Sequence, residues 1–475
     1  MLRPLIARRR RRNPREARQR GVTMALVALS LVALISMAAL SIDLGSLYEA
    51  KAEAQRAADL GALAAARVIS LEGLTGDTAG PADTAWGDIC GGAGKLASLA
   101  AINVAQQNLI NGSAASTVTV SYGTTGSFGQ DCTAATGTGF TVNPLVQVYV
   151  QQASLPNFFS RIFSLVVSGG TSNSGVSATA TAEVFNSSGS GALSSGMVPV
   201  QPKCVKPWIV ANADPNNSGN VFVNPRNGDI GSPGVYQIAG AGHVIGETFT
   251  LNADCKPGLS NCEGLNMANN PPQYNGLGSP LQYLPALVPN APVAVASNSC
   301  SLGGSNNYQP AIAGCDQTTV YACGTPNGAN VDLTENPAGA GGDTQTGAEC
   351  LTNSTVGPDS LAGYPAPTYP FEIEAGSGNP YVQAHLSVNP VNGNDIVTTS
   401  NSIVTVPIAS FGATLTGTQP QVTIVGYLQL FIDTINADGS MVVTVMNVAG
   451  CGSSGTPTST ANGTSPVPIR LITPQ

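Results

Sequence analysis

Charge is scarce in this sequence. Only 10% of its 475 residues are Asp, Glu, Lys or Arg, against about 25% in an ordinary soluble domain. Aromatics make up 5%, and the histidines are two, His243 and His385. With so few histidines, a Ser-His-Asp arrangement would have to use one of these two, and no GxSxG elbow accompanies them. The phosphate-binding pattern GxxxxGK[ST] is missing, so the chain hydrolyses no nucleotide through such a loop. No CxxC pair occurs either, which argues against a zinc site. A run resembling a dinucleotide loop, Gly240 to Gly246, has its last glycine one residue too far on and no helix pattern after it, so it reads as a turn. Asp214-Pro215-Asn216-Asn217 could offer oxygens to calcium, but turn formation accounts for the same residues. Together these absences lead to the expectation of a protein that is no enzyme and holds no cofactor or metal.

What the sequence has in quantity is glycine (55) and proline (33), with long Ser, Thr and Asn tracts, a composition suited to strands joined by many turns and loops. It also has one long apolar run. Val22 to Ile42, VTMALVALSLVALISMAALSI, carries no formal charge. As an α-helix it would extend roughly 31 Å, close to a bilayer core of about 30 Å. Nine arginines and a single acid precede it, and Asp43 follows. Basic residues resist translocation, so the amino terminus is expected in the cytoplasm and the rest outside. The run exceeds the 7–15 residues usual for the core of a cleaved signal, and helical patterning continues beyond it, which favours a retained anchor. Beyond the first twenty residues the chain has a net charge of −16. Such a body would repel phosphate, so no nucleic acid is expected as a partner.

The ten cysteines fall into two even-numbered groups, Cys90 with Cys132, and Cys204, Cys255, Cys262, Cys300, Cys315, Cys323, Cys350 and Cys451. In an oxidising compartment they read as disulfide candidates. Joining Cys90 to Cys132 would contribute about 3–4 kcal/mol in the chain-entropy account. Pairing within the second group is open.

The expected fold class is α+β: a transmembrane helix continuing into a juxtamembrane helix, a small helix-plus-antiparallel-sheet domain, then a β-rich, disulfide-containing region with long loops. The boundaries are a basic cytoplasmic segment at 1–20, the membrane helix at 21–43, the juxtamembrane helix at 44–70 and the α+β domain at 71–185. A Ser/Gly linker at 186–198, the Cys-containing β-rich domain at 199–451 and a disordered tail at 452–475 follow. Leu44, Tyr48, Gln55, Ala58, Ala62, Ala66 and Ile69 fall near one face of the juxtamembrane helix. Leu96, Leu99, Ile102, Gln106 and Leu109 predict an amphipathic helix ending at Asn111-Gly112. Alternation predicts strands at Val118–Tyr122, Val146–Val150 and Val176–Val184, and Phe158–Phe163 reads as a short helix. Residues 254–363 show little periodicity and read as loops pinned by disulfides. Strands return at Ile403–Ile408 and Val422–Ile432, the latter pairing with Met441–Met446 across Asn436–Ser440.

The run Arg20-Gly21, the apolar span, Ile42-Asp43-Leu44-Gly45, Tyr48, Gln55, Ala57-Ala58-Asp59 and Ala62-Leu63-Ala64-Ala65-Ala66 resembles the amino-terminal segment of TadG-like proteins of the bacterial Tad (Flp) pilus-assembly machinery. The family motif residues here are Gly21, Asp43, Gly45, Tyr48, Gln55, Ala58, Asp59, Ala62 and Leu63. Ala54 and Gly61 depart from it, standing where a larger apolar residue and Ala are usual. The Asp-x-Ser-x-Ser of a von Willebrand A metal site is missing, and Leu26 stands where processed prepilins carry Glu. The resemblance implies a membrane-anchored, non-enzymatic component of Tad pilus assembly or secretion, in the inner membrane with a periplasmic body. Its partners would be other Tad pilus-assembly proteins or pilin, and a homo-oligomer is possible. The alternative is an extracytoplasmic adhesin or glycan-binding module.

Overall fold

A computed structural model of the chain describes residues 14–76, 85–124, 127–134, 140–156, 173–188, 200–217, 220–236, 242–253, 265–266, 273–274, 281–289, 300–302, 307–326, 328–335, 342–364, 367–380, 382, 395–410, 418–451, 459–460 and 464–472. The first element, α1 (Pro14–Leu71), is one unbroken helix of 58 residues. Proline is tolerated in its first turn because the missing N–H would have had no partner there. Just past its last turn Gly73 adopts φ +70°, a conformation that side chains with a Cβ resist. The chain divides into two compact units, and α1 contributes to both.

The first unit comprises Met1–Ala57, Gln106–Val118 and Val150–Ala178. Here Asn111 (φ 50°) and Gly112 (φ 75°) form a two-residue turn between Ile110 and Ser113, whose backbones bond each other in both directions. The Asn111 N–H donates to Glu53 Oε2 of α1 at 2.6 Å, and Lys51 Nζ donates to the Ser177 carbonyl. Ser116 ties two strands together, donating through Oγ to the Gln151 carbonyl at 2.8 Å and accepting the Ala153 N–H at 3.0 Å.

The second unit comprises Ala58–Ala105, Thr119–Tyr149 and Thr179–Gln475. Ala58, Ala62, Ala65, Ala66 and Ile69 of α1 are fully buried in it. The helices α2 (Ala85–Cys90) and α3 (Leu96–Gln107) follow, and the Cys90–Cys132 disulfide closes behind them. The structure corrects the predicted facing of α3. Its buried residues are Ala97, Ser98, Ala101 and Ala105, while Leu99 is 42% and Leu109 49% exposed. The reason is close approach: a Cβ on Gly61 would lie 3.1 Å from the Ala101 carbonyl oxygen and 3.3 Å from the Ala105 Cβ. Only small side chains fit between helices that near.

A five-stranded sheet has the order β19-β4-β3-β1-β2, from β1 (Thr117–Thr124), β2 (Ser127–Gly129), β3 (Leu145–Pro156), β4 (Asn173–Val184) and β19 (Ile469–Ile472). The three alternating runs expected as strands are thus strands. Val146, Val148, Val150, Ala178 and Ala180 are buried at every second position, as a half-covered sheet requires. The tail expected to be disordered instead supplies β19, antiparallel to β4 with Ile469 opposite Val184. Arg470 adds an ion pair to Glu183 at 2.7 Å and lies over the Phe185 ring.

The larger sheet has the order β11-β16-β15-β6-β10-β7-β17, and β16 pairs with β17 as well. That extra pairing closes six strands into a barrel: β6 (Trp208–Ala211), β7 (Thr248–Ala253), β10 (Leu281–Pro285), β15 (Ile403–Ser410), β16 (Gln421–Ile435) and β17 (Met441–Gly450). Closure leaves β11 (Ala329–Asn330) as an added edge strand on β16. The expected hairpin of β16 and β17 is present, and its turn is fixed by Asp438 Oδ1, which accepts from the N–H and hydroxyl of Ser440 at 2.9 and 2.6 Å. Smaller pairings join β12 (Ser360–Leu361), β13 (Ile373–Glu374) and β14 (Ile396–Val397), β5 (Val200–Gln201) with β18 (Ser459–Thr460), and β8 (Leu265–Asn266) with β9 (Gln273–Tyr274).

Residues 254–363, read as loops, also contain β10 inside the barrel and the helices α4 (Tyr308–Ala313) and α5 (Asp343–Thr352). These helices are short, and α5 is mostly polar, so neither shows a strong period; α5 meets α4 where Gly347 lies against Ile312. Cys204–Cys315, Cys300–Cys350 and Cys323–Cys451 pin this region, whereas Cys255 and Cys262 lie outside the described residues. The fold class is α+β with a β-rich disulfide region, as expected. Most of the Ser/Gly linker and the Phe158–Phe163 segment lie outside the described residues. Of the linker, Asn186, Ser187 and Ser188 are described and buried.

Gly61 gives a direct check on the helix contact. Gly61→Leu is expected to destabilise the second unit by about 2–3 kcal/mol through overpacking, and Gly61→Ala by less than about 1 kcal/mol, in urea titrations of the full chain.

Candidate functional site

The sequence pointed to α1, and its surface divides into distinct parts. Between Val22 and Ile42, twelve large apolar side chains are exposed. Keeping each in water costs about 1.5–3 kcal/mol, on the order of 20–30 kcal/mol in all, more than the whole stability of a typical domain. An apolar solvent removes that cost. The polar groups in the segment fit the same surroundings: the Ser30 hydroxyl donates back to the Val27 carbonyl at 2.9 Å, so it needs no water. Among the described residues, α1 is one helix long and apolar enough to cross a membrane.

Beyond the apolar segment the family-motif residues separate by face. Ala58 and Ala62 are buried, and so is Asp43, at 6% exposure. Gly45, Tyr48, Gln55, Asp59 and Leu63 recur at helical spacing on an adjoining stripe. There Tyr48 is 69% exposed, Gln55, Asp59 and Leu63 are half-buried, and a Cβ on Gly45 would meet nothing within 4 Å. Leu44 and Tyr48, expected on the same face as the alanines, are exposed instead, and the buried stripe runs through Ala39, Asp43, Ala50 and Ala54. Gly21 lies within α1.

A second cluster brings together two runs whose composition predicts turns. Asp214 Oδ1 accepts the N–H groups of Asn216 and Asn217, both at 2.9 Å. Asn217 Nδ2 donates to the Gly242 carbonyl at 3.1 Å, and His243 Nδ1–H donates to the Pro233 carbonyl. Glu247 is hydrogen-bonded to Asp214. Burial, and then the Asp214 charge, push the Glu247 carboxyl up to about 9; burial also raises Asp214, against the two backbone donors. This pairing of Asp214 with Glu247 went unforeseen, since only the fold brings residues so far apart in sequence together. Among the described residues no group of three or more His, Cys, Asp or Glu could hold a metal ion. His385 lies outside them.

A long apolar helix running into a disulfide-bonded α+β body defines a protein with a candidate membrane anchor. Residues 21–68 match the family model of the Tad proteins, described as Flp pilus-assembly TadE/G-like, and this segment of the chain is similar to that family. No curated protein and no solved structure matches the chain.

The carboxyl pair makes a pH prediction. Below about 4.5 Glu247 is protonated folded or unfolded, and its contribution is fully present. As pH rises, the unfolded chain releases the proton while the folded one holds it, so stability falls until about pH 9. Urea titrations at pH 5 and pH 8.5 should show the wild type losing on the order of 2 kcal/mol more than Glu247→Gln across this interval.

Proposed function

We propose that the chain is a non-enzymatic, single-pass inner-membrane component of Tad (Flp) pilus assembly. Its amino terminus would be cytoplasmic, because nine arginines precede the span. Its body would be periplasmic, where the four described disulfides could persist. The observation that carries the reading is the family match at residues 21–68, on a helix whose apolar part is bare and which leaves Gly45 and Tyr48 exposed before its later turns are covered.

The inner side of that helix serves this chain's own fold. The outer side, with Gly45, Tyr48, Gln55, Asp59 and Leu63, is the contact surface for other Tad pilus-assembly proteins, for pilin or for a second copy. Tyr48 has the greatest free area on it, and an exposed tyrosine offers both an apolar ring and a polar tip to a partner.

Two measurements test this. Protease accessibility on intact cells and spheroplasts should leave the amino terminus protected and the body accessible, and a soluble product shortened near Val22 would refute the anchor. A photo-reactive amino acid at position 48 should cross-link a Tad component or pilin. Tyr48→Ala should change stability by less than about 0.5 kcal/mol while weakening capture of that partner in pull-downs from solubilised membranes. Undiminished capture by outer-face variants would overturn the assignment of this face.

A further inference from the structure

The residue that follows α1 is a buried acid. Glu72 is 4% exposed, and its carboxylate accepts the Phe371 N–H at 3.0 Å. Its backbone carbonyl accepts the Tyr369 hydroxyl at 3.3 Å. The surrounding joint is tight. Asn447 Nδ2 of β17 donates to the Ser70 carbonyl at 2.8 Å, and the Ser70 hydroxyl donates to the Val467 carbonyl at 2.7 Å. A Cβ on Gly73 would lie 2.0 Å from the Met446 carbonyl oxygen, so backbone presses on backbone.

Among the described residues no cation forms a salt bridge with this carboxyl: the salt bridges there are Lys95–Asp88 and Arg470–Glu183. The charge acting on Glu72 is that of Glu372, of the same sign. Arg67, earlier on α1, is itself largely buried and held below its usual range by desolvation. Gly246, which precedes Glu247, packs on the same segment: a Cβ there would lie 2.6 Å from Phe371 Cζ. An ionised carboxylate with one backbone donor and an acidic neighbour is costly inside a protein.

We propose that the joint between the end of α1 and the barrel is a proton-operated latch, closed by Glu72 in its acid form and loosened when that carboxyl ionises. Burial, reinforced by Glu372 and opposed by the Phe371 N–H, pushes Glu72 up to about 8. The sign follows from linkage. A raised carboxyl favours the closed joint fully below about 4.5, and this advantage declines with rising pH and is lost above about 8.

The test is hydrogen exchange of the full chain in lipid nanodiscs from pH 5.5 to 9, corrected for intrinsic rates and read on peptides covering 68–76, 367–374 and 444–449. The wild type is expected to lose about tenfold or more of its protection there, with a midpoint near 8. Glu72→Gln should abolish the transition. Glu372→Gln, at a half-buried site that should tolerate the change, should move the midpoint down, because the neighbouring negative charge is gone. Glu247→Gln should leave the transition in place. Constant protection in the wild type, a transition that survives Glu72→Gln, or an unmoved midpoint in Glu372→Gln would overturn the latch. The Glu372 arm decides even if the Glu72 variant does not fold.

Discussion

Close approach of α1 to its neighbours is the constraint on which the second unit rests. The helix buries alanines, and an alanine covers little area. Such a face gains enough only when the opposing backbone comes near, because dispersion falls off steeply with separation. Gly61 provides that approach towards α3, and Gly73 provides it towards β17. Each removes the one carbon that would hold the surfaces apart. The small residues of α3 follow from the same requirement: Ala97, Ala101 and Ala105 face inward where leucines would not fit.

Once backbone lies this near backbone, polar groups must find partners inside the contact. Asn186 Nδ2 donates to the Thr75 carbonyl at 2.9 Å and to the Val448 carbonyl at 3.0 Å, and its own N–H donates to Asn143 Oδ1 at 2.9 Å. Ser188 Oγ accepts the Gly450 N–H at 2.7 Å. Asn447 continues the row to Ser70. These bonds connect the end of α1, the close of β4 and the barrel strand β17, all within the second unit. The disulfides work on the unfolded side of the same balance. Cys204–Cys315 and Cys323–Cys451 span separations of 111 and 128 residues, each worth about 4–5 kcal/mol in the chain-entropy account. A chain with few charges and many glycines has much conformational freedom to lose on folding, and long closures reduce it most.

The legibility of this architecture follows the range of the interactions. The apolar run could be read because its signal is local. The β16–β17 hairpin could be read because β-branched alternation flanks a turn whose Asp438 and Gly439 announce it. The facing of α3 could not. Leu99 and Leu109 mark the apolar side by composition, yet distance to α1 decides which side is covered. Barrel closure was hidden as well, since β7 pairs with β17 across nearly two hundred residues, with Leu251 opposite Met441. The acids at Glu72, Asp214 and Glu247 look like ordinary surface residues in the sequence. Their surroundings come from segments far along the chain. The disulfide candidates were visible as residue types, but their pairing required coordinates.

The helix also explains why a family motif can look uneven in composition. Its inner members, Ala58 and Ala62, are small because this chain's own body lies against them. Its outer members obey no such rule. Gly45 is exposed, and a glycine in a helix interior costs about 1 kcal/mol relative to alanine. Nothing among the described residues recovers that cost, because a Cβ at position 45 would meet no atom of them within 4 Å. Tyr48 is likewise mostly uncovered by the described residues. A helix whose one face is fully accounted for by internal packing, and whose other face combines an unneeded glycine with a bare aromatic, has residues left over from folding. In the proposed pilus-assembly role those residues have a use: the same helix is held by the body on one side and available to another protein on the other, along a direction set by the membrane it crosses.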